Sequence, residues 1–298
     1  MNLTSLRIGF IGAGRLARTL APAWARCGLV IAGAYSRRIE TARALADACS
    51  GGSAAFADAQ ALLDASDLVF LTVPDDAIAG MARALRWTAN HRLVHCSAAT
   101  EVAALNPAAE AGALTGGFHP LQLFADPEVA IGHLAGSTVA IEAGAPLAGE
   151  LHHLADLLGM RPLTLPGGSR VLYHIAGNLA ASGVLGVLRE AEDIWALAGL
   201  PRRDAMSALL PLTRGTIAAA TASGLPGALA GPVSRADLRV VQAHLAQLGK
   251  VDAGGTDFYA LLLERLVRLG ESAGRLDATQ AAAIRTLLGD AGHRRPAD

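Results

Sequence analysis

Arg7-Ile8-Gly9-Phe10-Ile11-Gly12-Ala13-Gly14-Arg15-Leu16-Ala17 is the stretch that decides the fold. Ile8, Phe10 and Ile11 make a short apolar run that reads as a strand buried on both faces. The run breaks at Gly12-Ala13-Gly14 and passes into helix-compatible sequence from Arg15. Gly12, Gly14 and Ala17 stand at the spacing G-x-G-x-x-A. Gly12 permits a tight turn out of the strand, Gly14 lets the backbone approach a pyrophosphate, and Ala17 lets the helix pack close to the strand. The helix start offers unpaired N–H groups to an anion. A structural turn can carry the same letters, but the strand before it and the helix after it are what a dinucleotide site requires. Gly12, Ala13, Gly14, Arg15 and Leu16 are therefore the expected pyrophosphate contacts.

Outward from this stretch, strand and helix signals alternate. Leu29–Tyr35, Ala55–Phe56, Leu68–Val73 and Leu93–Cys96 read as strands, followed by Gly116–Phe118, Thr138–Ile141 and Pro162–Leu165. Asp58 is placed to cap one helix and Asp75 another. The alternation predicts βαβ units and an α/β fold with a doubly wound Rossmann sheet. After Pro166-Gly167-Gly168 the character changes to helical periodicity, with helices expected over Arg170–Leu197, Arg202–Ala222, Ser234–Leu248, Thr256–Gly270 and Thr279–Leu288. The expected organisation is a nucleotide-binding domain over residues 1–166 and an all-α substrate and dimerisation domain over residues 167–298, with a polar tail at His293–Asp298 that frays.

At 298 residues the chain can build two domains with a substantial core. Its 25 basic and 26 acidic residues nearly balance and form no long basic run, which argues against a nucleic-acid partner. Cys27, Cys49 and Cys96 are widely spaced, without a C-x-x-C pair. They read as reduced thiols of a cytoplasmic protein, with no metal site. Met1–Leu6 leads almost directly into the first strand, so no signal peptide is expected. Val171–Leu188 is nearly long enough to span a membrane, but His174, Asn178, Ser182 and its glycines favour a helix buried in a helical domain or a dimer core. No membrane partner is expected, and a homodimer through the C-terminal domain is.

About 20 residues beyond the glycines, an NAD site usually carries an acid for the ribose 2′-OH. This chain has Ser36-Arg37-Arg38 instead. A hydroxyl and two guanidiniums suit a 2′-phosphate, so NADP is the expected cofactor. A solvated basic turn is the plainer alternative. Val73-Pro74-Asp75 and Cys96-Ser97-Ala98 end two strands at the carboxyl edge of the sheet, where open α/β sheets bind ligands. Val73, Pro74 and Asp75 are placed beside the nicotinamide ribose, with a capping role favoured for Asp75. Ser97 reads equally as a turn residue or a substrate contact. His119, in His119-Pro120-Leu121-Gln122, can exchange a proton near neutral pH or serve structure alone.

His174 and Asn178 are four apart on one helix face just beyond the domain boundary. A carbonyl or imine that accepts hydride needs a proton donor and a hydrogen bonder, and this pair can supply them. The same two residues can instead be satisfied inside a helical core. Gly231-Pro232-Val233-Ser234-Arg235-Ala236-Asp237 reads as a turn and helix start with Ser234 as cap. Arg235 could hold a substrate carboxylate, but an ion pair, for example with Asp237, is favoured.

G-F-I-G-A-G-R-L-A, Y-S-R-R, T-V-P-D, V-H-C-S, G-F-H-P-L-Q, Y-H-I-A-G-N and G-P-V-S-R-A-D together resemble the Rossmann-like family that carries the domain of unknown function 2520. These pieces run from Arg7 to about Leu248. In organisation the family is similar to pyrroline-5-carboxylate, ketopantoate and 3-hydroxyacid reductases, which join a Rossmann domain to a helical domain and are commonly dimers. Several of those enzymes carry K-x-x-x-N on a helix. His174 and Asn178 match its spacing, with His in place of Lys. Ala98 and Ala236 stand where the family's H-x-S-G and R-G-D patterns would have Gly. The resemblance implies an NADP-dependent oxidoreductase acting on a small carbonyl, hydroxyl or imine compound. A non-catalytic NADP-binding sensor or scaffold, for which the missing lysine speaks, is the alternative.

Overall fold

The computed structural model describes residues 6–49 and 51–292. The tail at 293–298 and residues 1–5 lie outside them. The chain divides into two compact units, residues 1–182 and 183–298.

The first unit is built on an eight-stranded sheet: β1 (Arg7–Ile11), β2 (Val30–Tyr35), β3 (Ala54–Phe56), β4 (Leu68–Leu71), β5 (Arg92–His95), β6 (Leu114–Pro120), β7 (Thr138–Ala143) and β8 (Arg161–Thr164), in the order β3-β2-β1-β4-β5-β6-β7-β8. The strand order reverses direction between β1 and β4, the switch point at which doubly wound sheets bind nucleotides. All pairs are parallel except β6 with β7. Leu68-Val69-Phe70-Leu71 is buried throughout, as a continuous apolar run requires when helices cover both faces. On one face Phe10, Trp24, Phe70 and Phe118 pack ring to ring, with Phe10 and Phe70 stacked at 5.6 Å. The Trp24 indole N–H donates to the Leu154 carbonyl at 2.9 Å, so this large ring is buried without an orphaned donor. Ile11, Leu63, Val69, Ile78 and Leu93 fill the opposite face.

Helices α1 (Arg15–Arg26), α2 (Ile39–Ala48), α3 (Ala59–Asp64), α4 (Asp75–Ala84), α5 (Asn106–Glu110), α6 (Pro127–Gly132) and α7 (Leu147–Leu157) connect the strands. Asp58 caps α3 by accepting from the Ala61 N–H, as its sequence position implies. Asp75 does not cap α4. It is the first helical residue, behind Pro74, and with Asp76 it places negative charge in the first turn, where the helix dipole favours it. The last helix of this unit, α8 (Arg170–Ala180), begins where the sequence changes character.

The continuous helix expected over Arg170–Leu197 is interrupted. Ala181 departs from helical geometry at φ −104° and ψ −80°, next to Ser182-Gly183, two weak helix formers. The second unit therefore starts on α9 (Ser182–Leu197) and continues through α10 (Arg202–Ala228), α11 (Leu238–Val251), α12 (Ala253–Ser272) and α13 (Ala278–Gly292). Its core joins Val233, Val241, Leu263, Val267, Ala281 and Ile284. Ser234 is not the cap of α11, since its hydroxyl donates to the Gly231 carbonyl. The chain turns through a left-handed Ala236, and Asp237 caps the helix by accepting from the Val240 N–H. Arg235 makes no ion pair with Asp237 among the described residues.

Candidate active site

A cleft of about 380 Å³ opens at the carboxyl edge of the sheet. Gly14, Arg15 and Leu16 line it from the first turn, Thr72, Val73 and Asp75 from the end of β4, Cys96 and Ser97 from the end of β5, and Leu123, Phe124 and Ala125 from the loop after β6. Gly12 turns the chain at φ +101°, and a Cβ there would press on the Thr72 carbonyl. At Gly14 a Cβ would have no heavy atom nearer than 4.0 Å, so the glycine leaves open space on the cleft side. No side chain caps α1, and its first turn carries no acid. These features fit a pyrophosphate laid on the helix start. Ala13 lies buried behind the turn and supports it rather than facing the cleft.

Thr72 escaped the sequence reading. Its hydroxyl donates to the Gly12 carbonyl at 2.7 Å, and its N–H donates to the Ile11 carbonyl. This ties the end of β4 to the glycine turn. Ser36 follows directly on β2, where its hydroxyl accepts from Thr41 at 2.8 Å. Arg37 and Arg38 are exposed, and neither forms an ion pair with an acid among the described residues. Two unneutralised guanidiniums at this edge suit a 2′-phosphate.

Ser97 is a nearly buried wall of the cleft. Its hydroxyl accepts from the Ala99 and Thr100 N–H groups at 3.2 and 2.9 Å. Its backbone N–H donates to His95 Nδ1 at 3.2 Å, and its carbonyl accepts from Arg170 Nη1 at 2.7 Å. Arg170, on the first turn of α8, is fully buried and donates from Nε to Glu142 on β7 at 2.7 Å. The sequence showed Arg170 only as a helix start, and the acid across the sheet left no local signal.

His119 and Tyr173 are brought together. The tyrosine hydroxyl lies 3.1 Å from Nδ1, and the rings meet edge to face. Burial, helped by the charges of Arg170 and His174 and opposed by Asp75, lowers the His119 pKa to about 4. Burial raises the Tyr173 pKa to about 12, against the pull of Arg170. Both groups are thus neutral near pH 7. Burial likewise pushes His95 down to about 3 and Cys96 up to about 12. His174 and Asn178 do share a helix face, but both are exposed and neither side chain makes a hydrogen bond among the described residues. His174 bears on the His119 ring, but neither it nor Asn178 is among the residues that line the cleft. Pro74 stands behind Val73 as the residue preceding α4 and does not line the cleft.

Residues 7–99 match the family described as NADP oxidoreductase, coenzyme F420-dependent, and residues 137–266 match the domain of unknown function 2520. No curated protein matches the chain. Among solved structures, a protein of Thermotoga maritima superposes with a TM-score of 0.73 at 23% identity, covering 89% of this chain and 98% of its own. A Bacteroides fragilis protein named "putative NADP oxidoreductase" gives 0.66 at 25% identity, covering 89% and 99%. An imine reductase from a Pseudomonas species gives 0.63 at 19% identity, covering 97% and 100%. The chain is thus similar to the first family over the sheet strands that carry the glycine turn, and to the second from β7 into the helical unit.

Proposed function

We propose that this protein is an NADP-dependent oxidoreductase that moves a hydride between the nicotinamide and a small carbonyl, hydroxyl or imine carbon. The observation that carries the reading is the cleft at the β1/β4 switch point, with the uncapped α1 start on one side and the unneutralised Arg37 and Arg38 at the end of β2. The nicotinamide, when bound, supplies or takes the hydride. The chain's own work is to bind and orient the reactants and to handle a proton. Ser97 can donate its hydroxyl proton into the cleft, because its backbone and its hydroxyl oxygen are already engaged. His119 and Tyr173 supply a neutral hydrogen-bonded pair on the same edge of the sheet, in which the tyrosine hydroxyl is the acid at neutral pH. His174 and Asn178 lie one face further round α8, open to a substrate.

The same reading makes the protein a homodimer through its helices. Leu172 and Leu179 on α8 are 73% and 67% exposed, as are Leu185 on α9 (67%) and Leu212 on α10 (70%). Such faces call for cover. Arg170–Leu197 is also long and apolar enough to cross a membrane, and its most apolar 18-residue window has no buried residue, but its polar residues and the break at Ala181 favour a protein partner. Cys27, Cys49 and Cys96 are free thiols, which suits the reducing cytoplasm.

The test is NADPH and NADH binding by fluorescence, then oxidation of NADPH with a panel of 2-keto acids and cyclic imines. Tight binding with turnover on one class supports the enzyme. Tight binding without turnover on any member supports a nucleotide sensor.

A further inference from the structure

We propose that Arg170 and His95 are positioning residues that grip the backbone of Ser97 from both sides and so fix its wall of the cleft, with Gly117 the seat that admits the guanidinium. The inference builds on Ser97 as a cleft residue and not on the nature of the hydride acceptor.

His95 closes β5, and its Nδ1 accepts the Ser97 N–H. Arg170 reaches the Ser97 carbonyl from α8. Both polar groups of one peptide residue are thereby held by side chains 75 positions apart in the chain, one on the sheet and one on a helix. Glu142 on β7 accepts a hydrogen bond from the Arg170 Nε–H, and this ion pair aims the planar fork and balances its charge. Gly117 on β6 pairs in register with His95. Registered residues of parallel strands present side chains to the same sheet face. A Cβ built on Gly117 would overlap Arg170 Nη2. The guanidinium therefore occupies the space of the missing side chain, beside the His95 ring.

The tautomer follows from the geometry. Nδ1 accepts, so the neutral ring carries its proton on Nε2. Nε2 and Arg170 Nη2 are both buried donors with no partner among the described residues. A cluster so arranged is expensive to build and costly to leave half-made. What it holds is the backbone on both sides of one residue, and that residue lines the cleft.

Cys96 reports on the grip, since it directly precedes Ser97 and is buried, while Cys49 is buried elsewhere in the same unit. The experiment is N-ethylmaleimide labelling of the full chain, mapped by peptide mass, for the parent, Arg170→Met, Arg170→Lys and Gly117→Ala. In the parent, Cys27 labels and the other two thiols are protected. In Arg170→Met and Gly117→Ala, Cys96 labelling should accelerate by about 10-fold or more while Cys49 stays protected, as expected for local opening. Arg170→Lys should fall between, because an amine keeps the charge but cannot serve the fork. Unchanged protection of Cys96 in both variants, or Cys96 and Cys49 opening together, overturns the proposal. If Arg170→Met does not fold, Gly117→Ala carries the test with Arg170 intact. Labelling needs no cofactor, so it stands even if NADPH binding fails in the parent.

Discussion

The hydroxyl of Tyr173 lies 3.1 Å from Nδ1 of His119, joining α8 to the end of β6. Neither residue titrates near neutrality, because burial holds the imidazole at about 4 and the phenol at about 12. A proton supplied by this pair therefore comes from a neutral tyrosine hydroxyl. Reduction should therefore be flat from about pH 5.5 to about pH 8, the range that lies between the two values. Tyr173→Phe should lower turnover by about 100-fold or more, the usual worth of a general acid, with NADPH affinity little changed. If His174 is the donor instead, His174→Gln takes the larger loss. The turnover of the two variants, measured side by side, decides between them.

The same burial makes the fold acid-sensitive above the carboxylate range. His95 faces Arg170 and His119, and His119 faces Arg170, His174 and Asp75. Both folded values are depressed below 6.5, so the unfolded chain takes up protons that the folded chain refuses. Stability should be full above pH 6.5 and fall as the pH drops toward 4, before most carboxylates titrate. Calorimetry across that window checks this. A melting temperature unchanged between pH 7 and 4.5 would contradict it.

Much of the sheet was readable because parallel strands covered on both faces are continuous apolar runs bounded by Gly, Pro or Asp. Leu68–Leu71 before Thr72-Val73-Pro74 is the clearest case. The glycine turn was readable because Gly12 needs a positive φ that other residues resist. The side-chain pairs that join α8 to the sheet were not. Arg170 meets Ser97 and Glu142, and Tyr173 meets His119, across long sequence separations that no local pattern encodes. On α8 the sequence drew attention to the polar pair at 174 and 178. The face that docks on the sheet is set three residues apart by Arg170 and Tyr173, letters that read as ordinary helix. Ser234 and Asp237 show the same limit, since both are good caps and only the backbone at Ala236 selects the second.

Cofactor preference should follow Arg37 and Arg38. Both are exposed at the end of β2, without an acid there to repel a 2′-phosphate. NADPH should bind more tightly than NADH in the parent. The double change Arg37→Ala with Arg38→Ala should cost NADPH about 1.5–3 kcal/mol or more, the worth of charged hydrogen bonds, and NADH much less. Isothermal titration of both nucleotides reads the difference directly. Equal parent affinities would refute the assignment.

Ala236 holds φ +49°, the left-handed region, between the turn at Val233–Arg235 and the capped start of α11. It is the one residue besides glycines with positive φ among those described. The sequence had marked it as an alanine where related chains have glycine. Ala98, marked in the same way, has no positive φ and needs none. An L-residue in this region costs about 1–2 kcal/mol, which glycine avoids. Glycine's freer unfolded chain takes back about 0.4–1 kcal/mol. Ala236→Gly should therefore stabilise the protein by up to about 1 kcal/mol, seen as a raised denaturant midpoint at unchanged slope.

Leu172 and Leu179 sit two turns apart on one stripe of α8, with Ile175 between them, and all three are exposed. Arg170 is the only residue of that helix that is buried. On α9 and α10, Leu185, Val187, Leu212 and Ile217 continue the pattern of large apolar side chains left to solvent. A monomer would carry this surface at a high solubility cost, whereas a second copy can cover it by a symmetric contact. A homodimer at micromolar concentration is expected by sedimentation velocity. Leu172→Glu with Leu179→Glu should shift it toward monomer and leave the sheet unit folded, because neither side chain contributes to that unit's core. NADPH binding retained by the monomeric variant would place the dimer contact away from the nucleotide. A parent that sediments as a monomer would remove the helical faces from consideration as a subunit interface.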